Sequence, residues 1–171
     1  MTEHQRLATL AEVEHGLTGV LATLLADPAR WILVLRVDAS HNRYLQLLAY
    51  EDGSVWAEAT SNVNLQGDDT LTVDQQTRLV ELGWKLPDPS ASPNFYRDDA
   101  EPEIREVAER AMTTLREVFG VRDRDWLTIR LFRSRLWEPT PEAQERELTL
   151  GSRCTRQSRH SDVHRESHDH S

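Results

Sequence analysis

Three strand-sized runs follow one another closely, and they limit the fold more than any other feature of the chain. Residues 31–37 (WILVLRV) are almost continuously apolar, which predicts a strand covered on both faces. Residues 43–50 (RYLQLLAY) and 54–60 (SVWAEAT) are separated by a turn that contains Asp52-Gly53, a strong hairpin signal. These runs therefore predict an antiparallel meander.

Helical periodicity surrounds the meander. The leucine repeat of residues 7–25 predicts an amphipathic helix with a bend or break near Gly16 and Gly19, because each glycine weakens a helix by about 1 kcal/mol. Residues 100–119 match one helical face almost completely, and residues 126–133 (WLTIRLFR) alternate as a half-buried strand does. Short helices are also predicted near residues 73–82 and 140–150, and Phe95-Tyr96 is an optional strand. The predicted order through residue 133 is therefore α-β-β-β-α-(β)-α-β.

The segment from residue 71 to 97 is the most distinctive part of the chain. A capped helix ends at Gly83 and is followed by Trp84, a proline-punctuated loop, and then Asn94, Phe95 and Tyr96. The segment carries no nucleophile–base pair, metal-ligand spacing or phosphate loop, so it indicates shape rather than chemistry. Its aromatic side chains and Asn94 either pack as core and loop anchors or shape a groove for a ligand.

Charge and apolar patterning narrow the classes of partner. The formal net charge is −9, and the region from Gly151 onward is slightly basic, so residues 1–150 hold all of the net negative charge. An acidic body repels phosphate backbones, which argues against a nucleic-acid partner. No run is long and apolar enough to span a membrane, the N-terminus lacks a signal-peptide pattern, and there is one cysteine. We therefore expect a cytoplasmic chain with no membrane partner.

Few residues suggest chemistry. His160, His164 and His168 would share one face if their segment were helical, which is at most a weak metal site. Residues 151–171 show no periodicity, and we predict a disordered, basic, His-rich tail after a single domain over residues 1–150. Glu58, between two alanines on a predicted strand, is the only acid with apolar neighbours. The common catalytic motifs are absent, so we predict neither catalytic residues nor a cofactor.

The order of elements and motifs resembles the YbjN and type III secretion chaperone-like superfamily, specifically the actinobacterial TY-Chap domains. The resemblance covers about residues 5–133. The residues that carry it are Arg43-Tyr44-Leu45-Gln46, Ala57-Glu58-Ala59 with Ser61-Asn62, Leu82-Gly83-Trp84, Pro93-Asn94-Phe95 and Val118-Phe119-Gly120-Val121.

The resemblance implies an α+β fold in which helices pack on one face of a twisted antiparallel sheet. It also implies a non-enzymatic module that binds a protein or peptide client, commonly as a homodimer. The alternative is a small ligand-sensing or enzymatic domain with a pocket near Glu58 and Asn94. In the first hypothesis acidic side chains select a basic partner. The expected partner-binding residues are Trp56, Glu58, Trp84, Asn94, Phe95 and Tyr96.

Overall fold

In the part of the chain that the structure describes, the fold is an open six-stranded antiparallel sheet with three α-helices. The computed structural model describes residues 2–27, 29–40 and 42–134. The strands follow the spatial order β1-β6-β2-β3-β4-β5, and every neighbouring pair is antiparallel. The predicted α+β class is confirmed. The elements are β1 (Thr2–Thr9), α1 (Leu10–Ala26), β2 (Arg30–Val37), β3 (Tyr44–Ala49), β4 (Val55–Ala59), α2 (Val73–Glu81), β5 (Phe95–Asp99), α3 (Ile104–Thr113) and β6 (Trp126–Ser134).

The N-terminal strand β1 was not predicted, and the predicted start of the first helix at residue 7 is wrong. Thr9 ends the strand and caps α1, since its hydroxyl accepts a hydrogen bond from the Glu12 amide while the Glu12 carboxylate accepts one from the Thr9 amide at 2.7 Å. This capping box fixes the first turn of the helix at Leu10. Leu7 therefore lies on β1, where its side chain is 57% exposed.

Helix α1 is also continuous, so the break expected at Gly16 and Gly19 does not occur. The helix buries Leu10, Val13, Leu17, Leu21 and Leu24. Burying a leucine contributes roughly 1.5–3 kcal/mol, which outweighs the loss of about 1 kcal/mol at each glycine. Tertiary packing thus holds a helix that local propensity alone would interrupt.

One face of the sheet carries the hydrophobic core. Alternate strand residues point toward α1 and α3 and are buried there, for example Leu33 and Leu35 on β2 and Leu45 and Leu47 on β3. Helix α1 packs on α3, and α2 packs against the end of α3. The helices are therefore collected on one face of the sheet, as the resemblance implied.

The long third helix begins later than predicted and ends in a wider turn. After α3 the chain forms a π-helical turn over Thr114–Val118. The Thr114 hydroxyl donates to the Arg110 carbonyl at 2.8 Å and accepts from Trp84 Nε1 at 3.0 Å. A hydroxyl that bonds back to the preceding turn often bends a helix, and the indole holds it in that position.

Several predictions fall outside the described residues. These are the helix over residues 140–150, the domain boundary near residue 150, the tail with Cys154, and the histidines at positions 160, 164 and 168. Among the helices that the structure does describe, none has the length and apolar character needed to cross a membrane.

Candidate functional site

The face of the sheet opposite the helices carries a second set of apolar side chains. We call this surface the open face. Among the described side chains, none of its members joins the main core cluster. The continuously apolar run of β2 was expected to be covered on both faces, yet the described helices cover only one. The open face includes Leu7, Arg30, Ile32, Val34, Arg36, Tyr44, Gln46, Leu48, Trp56, Glu58, Tyr96, Asp98, Trp126, Thr128, Arg130 and Phe132.

Four of these side chains form an apolar row across four adjacent strands. Phe132 lies opposite Ile32, Ile32 opposite Leu48, and Leu48 opposite Trp56. Strands lie about 4.8 Å apart, so the row extends roughly 14 Å. Leu48 in the middle is 7% exposed, while the other three are half-buried. The row therefore presents a continuous apolar strip with its flanks accessible to solvent.

Aromatic rings with cations over them stand at both ends of this row. Trp56 stacks on Tyr96 with ring centroids 5.1 Å apart and an interplanar angle of 15°. The Lys85 ammonium lies 5.5 Å from the centroid of the Tyr96 ring. At the other end, the Arg130 guanidinium lies 4.9 Å from the centroid of the Phe132 ring. Each cation is close enough for an electrostatic attraction to the ring.

Glu58 lies beside the aromatic stack, where three donors surround its carboxylate. Oε1 accepts hydrogen bonds from Trp56 Nε1 at 3.0 Å and from the Ser92 hydroxyl at 2.9 Å. Oε2 accepts one from Asn94 Nδ2 at 3.1 Å. The carboxylate orients the Trp56 indole and ties the loop before β5 to the sheet. This arrangement is that of a structural anchor, because the hydrogen bonds already occupy both oxygens.

Asn94 is the centre of the same network. Its side-chain oxygen accepts from the Ser61 amide at 3.2 Å and from Asn64 Nδ2 at 3.0 Å. Its side-chain nitrogen also donates to the Tyr44 hydroxyl at 3.1 Å. Burial raises the pKa of Tyr44 above its ordinary value, and the charge of Glu58 adds to this effect. Asn94 of the Pro-Asn-Phe motif thus connects strand β3, strand β4 and the loop after β4 through hydrogen bonds.

The structure divides the six residues that the sequence singled out. Trp56, Glu58, Asn94 and Tyr96 lie together on the open face or directly behind it. Trp84 and Phe95 are instead 3% and 1% exposed and belong to the hydrophobic core. Trp84 follows Gly83, which turns the chain back under α2, and Phe95 takes the helix-facing position of β5. A partner therefore cannot reach these two side chains in this conformation.

Sequence reasoning missed most of the apolar row. Ile32, Leu48 and Phe132 were not singled out, although a signal was present. An alternating strand has polar residues on its solvent side, whereas residues 31–37 and 126–133 also place apolar side chains there. That excess indicates either a second covering layer or a binding surface. The sequence does not say which, because the choice depends on where the helices pack.

A separate apolar groove lies on the helix side of the sheet, away from Glu58 and Asn94. It has a volume of about 230 Å³ and runs between α1 and strands β1, β2 and β6. No atom lies within 4 Å of the position that a Cβ on Gly16 would take. Beside the groove, β1 is an edge strand that pairs only with β6 among the described strands. The groove is lined by Gln5, Arg6, Glu12, Val13, Gly16, Leu17, Val20, Leu33, Leu35, Ile129 and Leu131.

Residues 2–27, 29–40 and 42–134 contain no candidate metal-binding site. No group of three or more histidine, cysteine, aspartate or glutamate side chains is placed there to hold an ion. The three tail histidines lie outside this part of the chain, so their suggested site stays a prediction.

Comparison with known proteins agrees with the geometry. The family model TY-Chap3, described as "T3SS (YopN, CesT) and YbjN peptide-binding chaperone 3", matches residues 11–133. Neither a curated protein nor a solved structure gives a significant match. The family match spans well over half of the 171 residues. The chain belongs to the TY-Chap3 family of peptide-binding chaperones.

Proposed function

We propose that the chain is a non-enzymatic, chaperone-like module or adaptor that holds a protein or peptide client on the open face. One observation carries this proposal. The core takes its side chains from the helix side of the sheet, and Phe132, Ile32, Leu48 and Trp56 form a second apolar row on the other side. Three of these four side chains are half-buried, and Leu7 and Trp126 on the same face are 57% and 52% exposed. Accessible apolar surface bordered by polar groups is typical of a binding site.

The client would gain free energy mainly from side chains laid on this row. Trp56 is already oriented by its hydrogen bond to Glu58 and by its stack on Tyr96. A side chain that is fixed before binding loses less conformational entropy when a partner arrives. The anchor around Glu58 and Asn94 thus supports the binding surface without being the surface itself.

The alternative of a catalytic or ligand-sensing pocket near Glu58 receives less support. A general base needs an accessible carboxylate within reach of a substrate proton. Both Glu58 oxygens are already engaged by Trp56, Ser92 and Asn94. The apolar groove lies on the opposite side of the sheet, so it does not supply a pocket for this carboxylate.

The proposal extends to the oligomeric state and to the source and location of the protein. The resemblance supports a homodimer, and β1 offers an eight-residue edge through which two copies could pair. Light scattering on the full chain tests this point, since a monomer at all concentrations would contradict it. The family resemblance also supports an actinobacterial source and a cytoplasmic location, which we keep as proposals.

Site-specific photo-crosslinking tests the client surface. A photoreactive amino acid replaces Gln46, at the middle of the open face, or Glu109, on the exposed side of α3. Both full-length variants are irradiated with a library of labelled 15-residue synthetic peptides. We expect peptide adducts from position 46 and few from position 109. Equal labelling of the two positions, or adducts from position 109 only, would contradict the open face as the binding site.

A further inference from the structure

We propose that the open face takes its client as an amphipathic helix that lies along the apolar row, with a basic side chain one turn beyond the apolar stripe of the helix. This inference rests on the proposed function and adds the conformation and the charge pattern of the client. A helix and an extended segment would use such a row in different ways, and the geometry of the row separates the two.

The apolar row lies on interior strands of the sheet. Its four members belong to β6, β2, β3 and β4, whereas the edge strands of the described sheet are β1 and β5. An extended client can pair its backbone only with an edge strand. Laid over the row instead, its amide and carbonyl groups would meet side chains and lose their hydrogen bonds to water. A helix bonds its own backbone groups, so it can lie on this face without that loss.

The spacing along the row also matches a helix. Neighbouring members of the row stand on adjacent strands, which are about 4.8 Å apart. In a helix, apolar residues that alternate three and four positions apart rise about 5 Å from one to the next. Residues on one face of an extended chain are about 6.8 Å apart, so three such steps would overshoot the roughly 14 Å row by about 6 Å. Four successive members of a helical stripe can therefore each meet one member of the row.

The charged side chains that flank the row already have partners. On one side, three donors hold the Glu58 carboxylate, and the Arg130 guanidinium lies over an aromatic ring of the row. On the other side, Arg30 Nε lies 4.0 Å from Glu51 Oε1. Between Glu58 and Arg130 the flank carries the neutral side chains of Gln46 and Val34. The flanks therefore give little preference for the charge of a client.

The row continues into an acid at its β5 end. Asp98 is in register with Trp56, its side chain is exposed, and no ion pair joins it to another described side chain. The Lys85 ammonium lies instead over the ring of the neighbouring tyrosine on β5. At the other end, Glu3 on β1 holds the equivalent register position beyond β6. A lysine or arginine one turn beyond the apolar stripe of the client would therefore stand over Asp98 and complement its charge.

Three fluorescein-labelled synthetic peptides test the inference. The helical peptide has four leucines three and four positions apart and a lysine one turn beyond each end of the stripe. The extended peptide has the same composition with its leucines at alternate positions, and the third is the helical peptide with glutamate for both lysines. Fluorescence anisotropy with the full-length chain measures each dissociation constant. We expect the helical peptide to bind about tenfold more tightly than the extended one, because it covers one more member of the row, and to gain helical circular dichroism on binding.

Two variants locate the contact. Asp98→Lys reverses an exposed charge and should weaken binding of the lysine-ended helical peptide about fivefold, while the glutamate-ended peptide should bind more tightly. The matched control, Glu109→Lys, reverses an exposed charge on α3 and should leave both dissociation constants unchanged. Phe132→Ser shortens the row and should weaken both helical peptides, after its circular dichroism spectrum has been matched to that of the wild type. The peptide comparison on the wild-type chain needs no substitution, so it decides the inference even if Phe132→Ser does not fold.

Two kinds of failure are distinguishable. If the extended peptide binds as tightly as the helical one, or no helical signal is gained, and folded Phe132→Ser weakens binding, the client surface stands and the helical client is overturned. If the lysine-ended and glutamate-ended peptides bind equally, or Glu109→Lys acts as strongly as Asp98→Lys, the basic end of the client is overturned. If no peptide binds, or folded Phe132→Ser changes nothing, both the inference and the proposed use of the open face are contradicted.

Discussion

Replacing Asn94 with alanine should destabilise the protein through a specific set of lost hydrogen bonds. Asn94 is 3% exposed, and its side chain joins the Ser61 amide, Asn64, Glu58 and Tyr44. The Ser61 amide is buried and would lose this acceptor, which costs about 1–3 kcal/mol. Glu58 would lose one of three donors, and a hydrogen bond to a charged group contributes roughly 1.5–3 kcal/mol.

These contributions overlap because the groups belong to one network, so we expect a loss of about 3 kcal/mol in the free energy of unfolding. For a domain of this size that corresponds to a fall of about 10 °C in Tm. Urea titration followed by far-ultraviolet circular dichroism measures the first quantity, and a thermal scan measures the second. Thr77→Ala, at an exposed position of α2, is the control and should change stability by less than about 0.5 kcal/mol.

A charge variant separates a structural Asn94 from a ligand-contacting one. In Asn94→Asp, two carboxylates would meet where Asn94 Nδ2 and Glu58 Oε2 are now 3.1 Å apart. Their repulsion raises the pKa of one of them in the folded state, so this variant should gain stability as the pH falls. Adding Glu58→Gln should restore part of the loss at neutral pH. Wild-type stability in Asn94→Ala together with lost peptide binding would refute our reasoning and favour a ligand site.

Three other predictions test the rest of the fold. Hydrogen bonds from the Thr9 amide and hydroxyl lower the pKa of Glu12, so its stabilising effect is complete above about pH 4.5 and lost as the pH falls through the lowered value. Glu12→Gln should therefore reduce the difference in Tm between pH 7 and pH 3. Trp84→Phe removes the donor to the buried Thr114 hydroxyl and should cost about 1–3 kcal/mol in urea titration, whereas an unchanged value would contradict a core role. Gly83→Ala forces a φ of 87° on a residue with a Cβ and should cost about 1–2 kcal/mol by the same measurement, while a gain in stability would refute the assigned backbone strain.

Local patterns were enough to locate most of the elements. The hairpin at Asp52-Gly53 forms as predicted, with Gly53 at a φ of 84°. Phe95 and Tyr96 begin a strand, so the optional strand of the predicted order is present. Helix α2 starts after Thr72 in a capping box and is followed by Gly83. These features depend on interactions between residues close in sequence, so a single sequence specifies them.

The wrong predictions share one cause, because the structure at those positions depends on contacts with residues far away in the sequence. Strand β1 has little strand signal of its own and forms because β6, more than a hundred residues later, pairs with it. The glycines of α1 are held helical by packing on the sheet and on α3. The division of the predicted site residues into accessible and buried ones has the same cause. Trp56 and Trp84 are both aromatic residues in strand or turn segments, so the local sequence does not distinguish them. Only the position of the helices makes one accessible and the other buried.

The sequence by itself determined the class of the fold, the hairpin, the caps, the family and the presence of more apolar strand residues than one core needs. The tertiary structure decided which of those residues form the core and which form the apolar row of Phe132, Ile32, Leu48 and Trp56. Both sets depend on strand order and register, which bring together residues that the sequence keeps far apart.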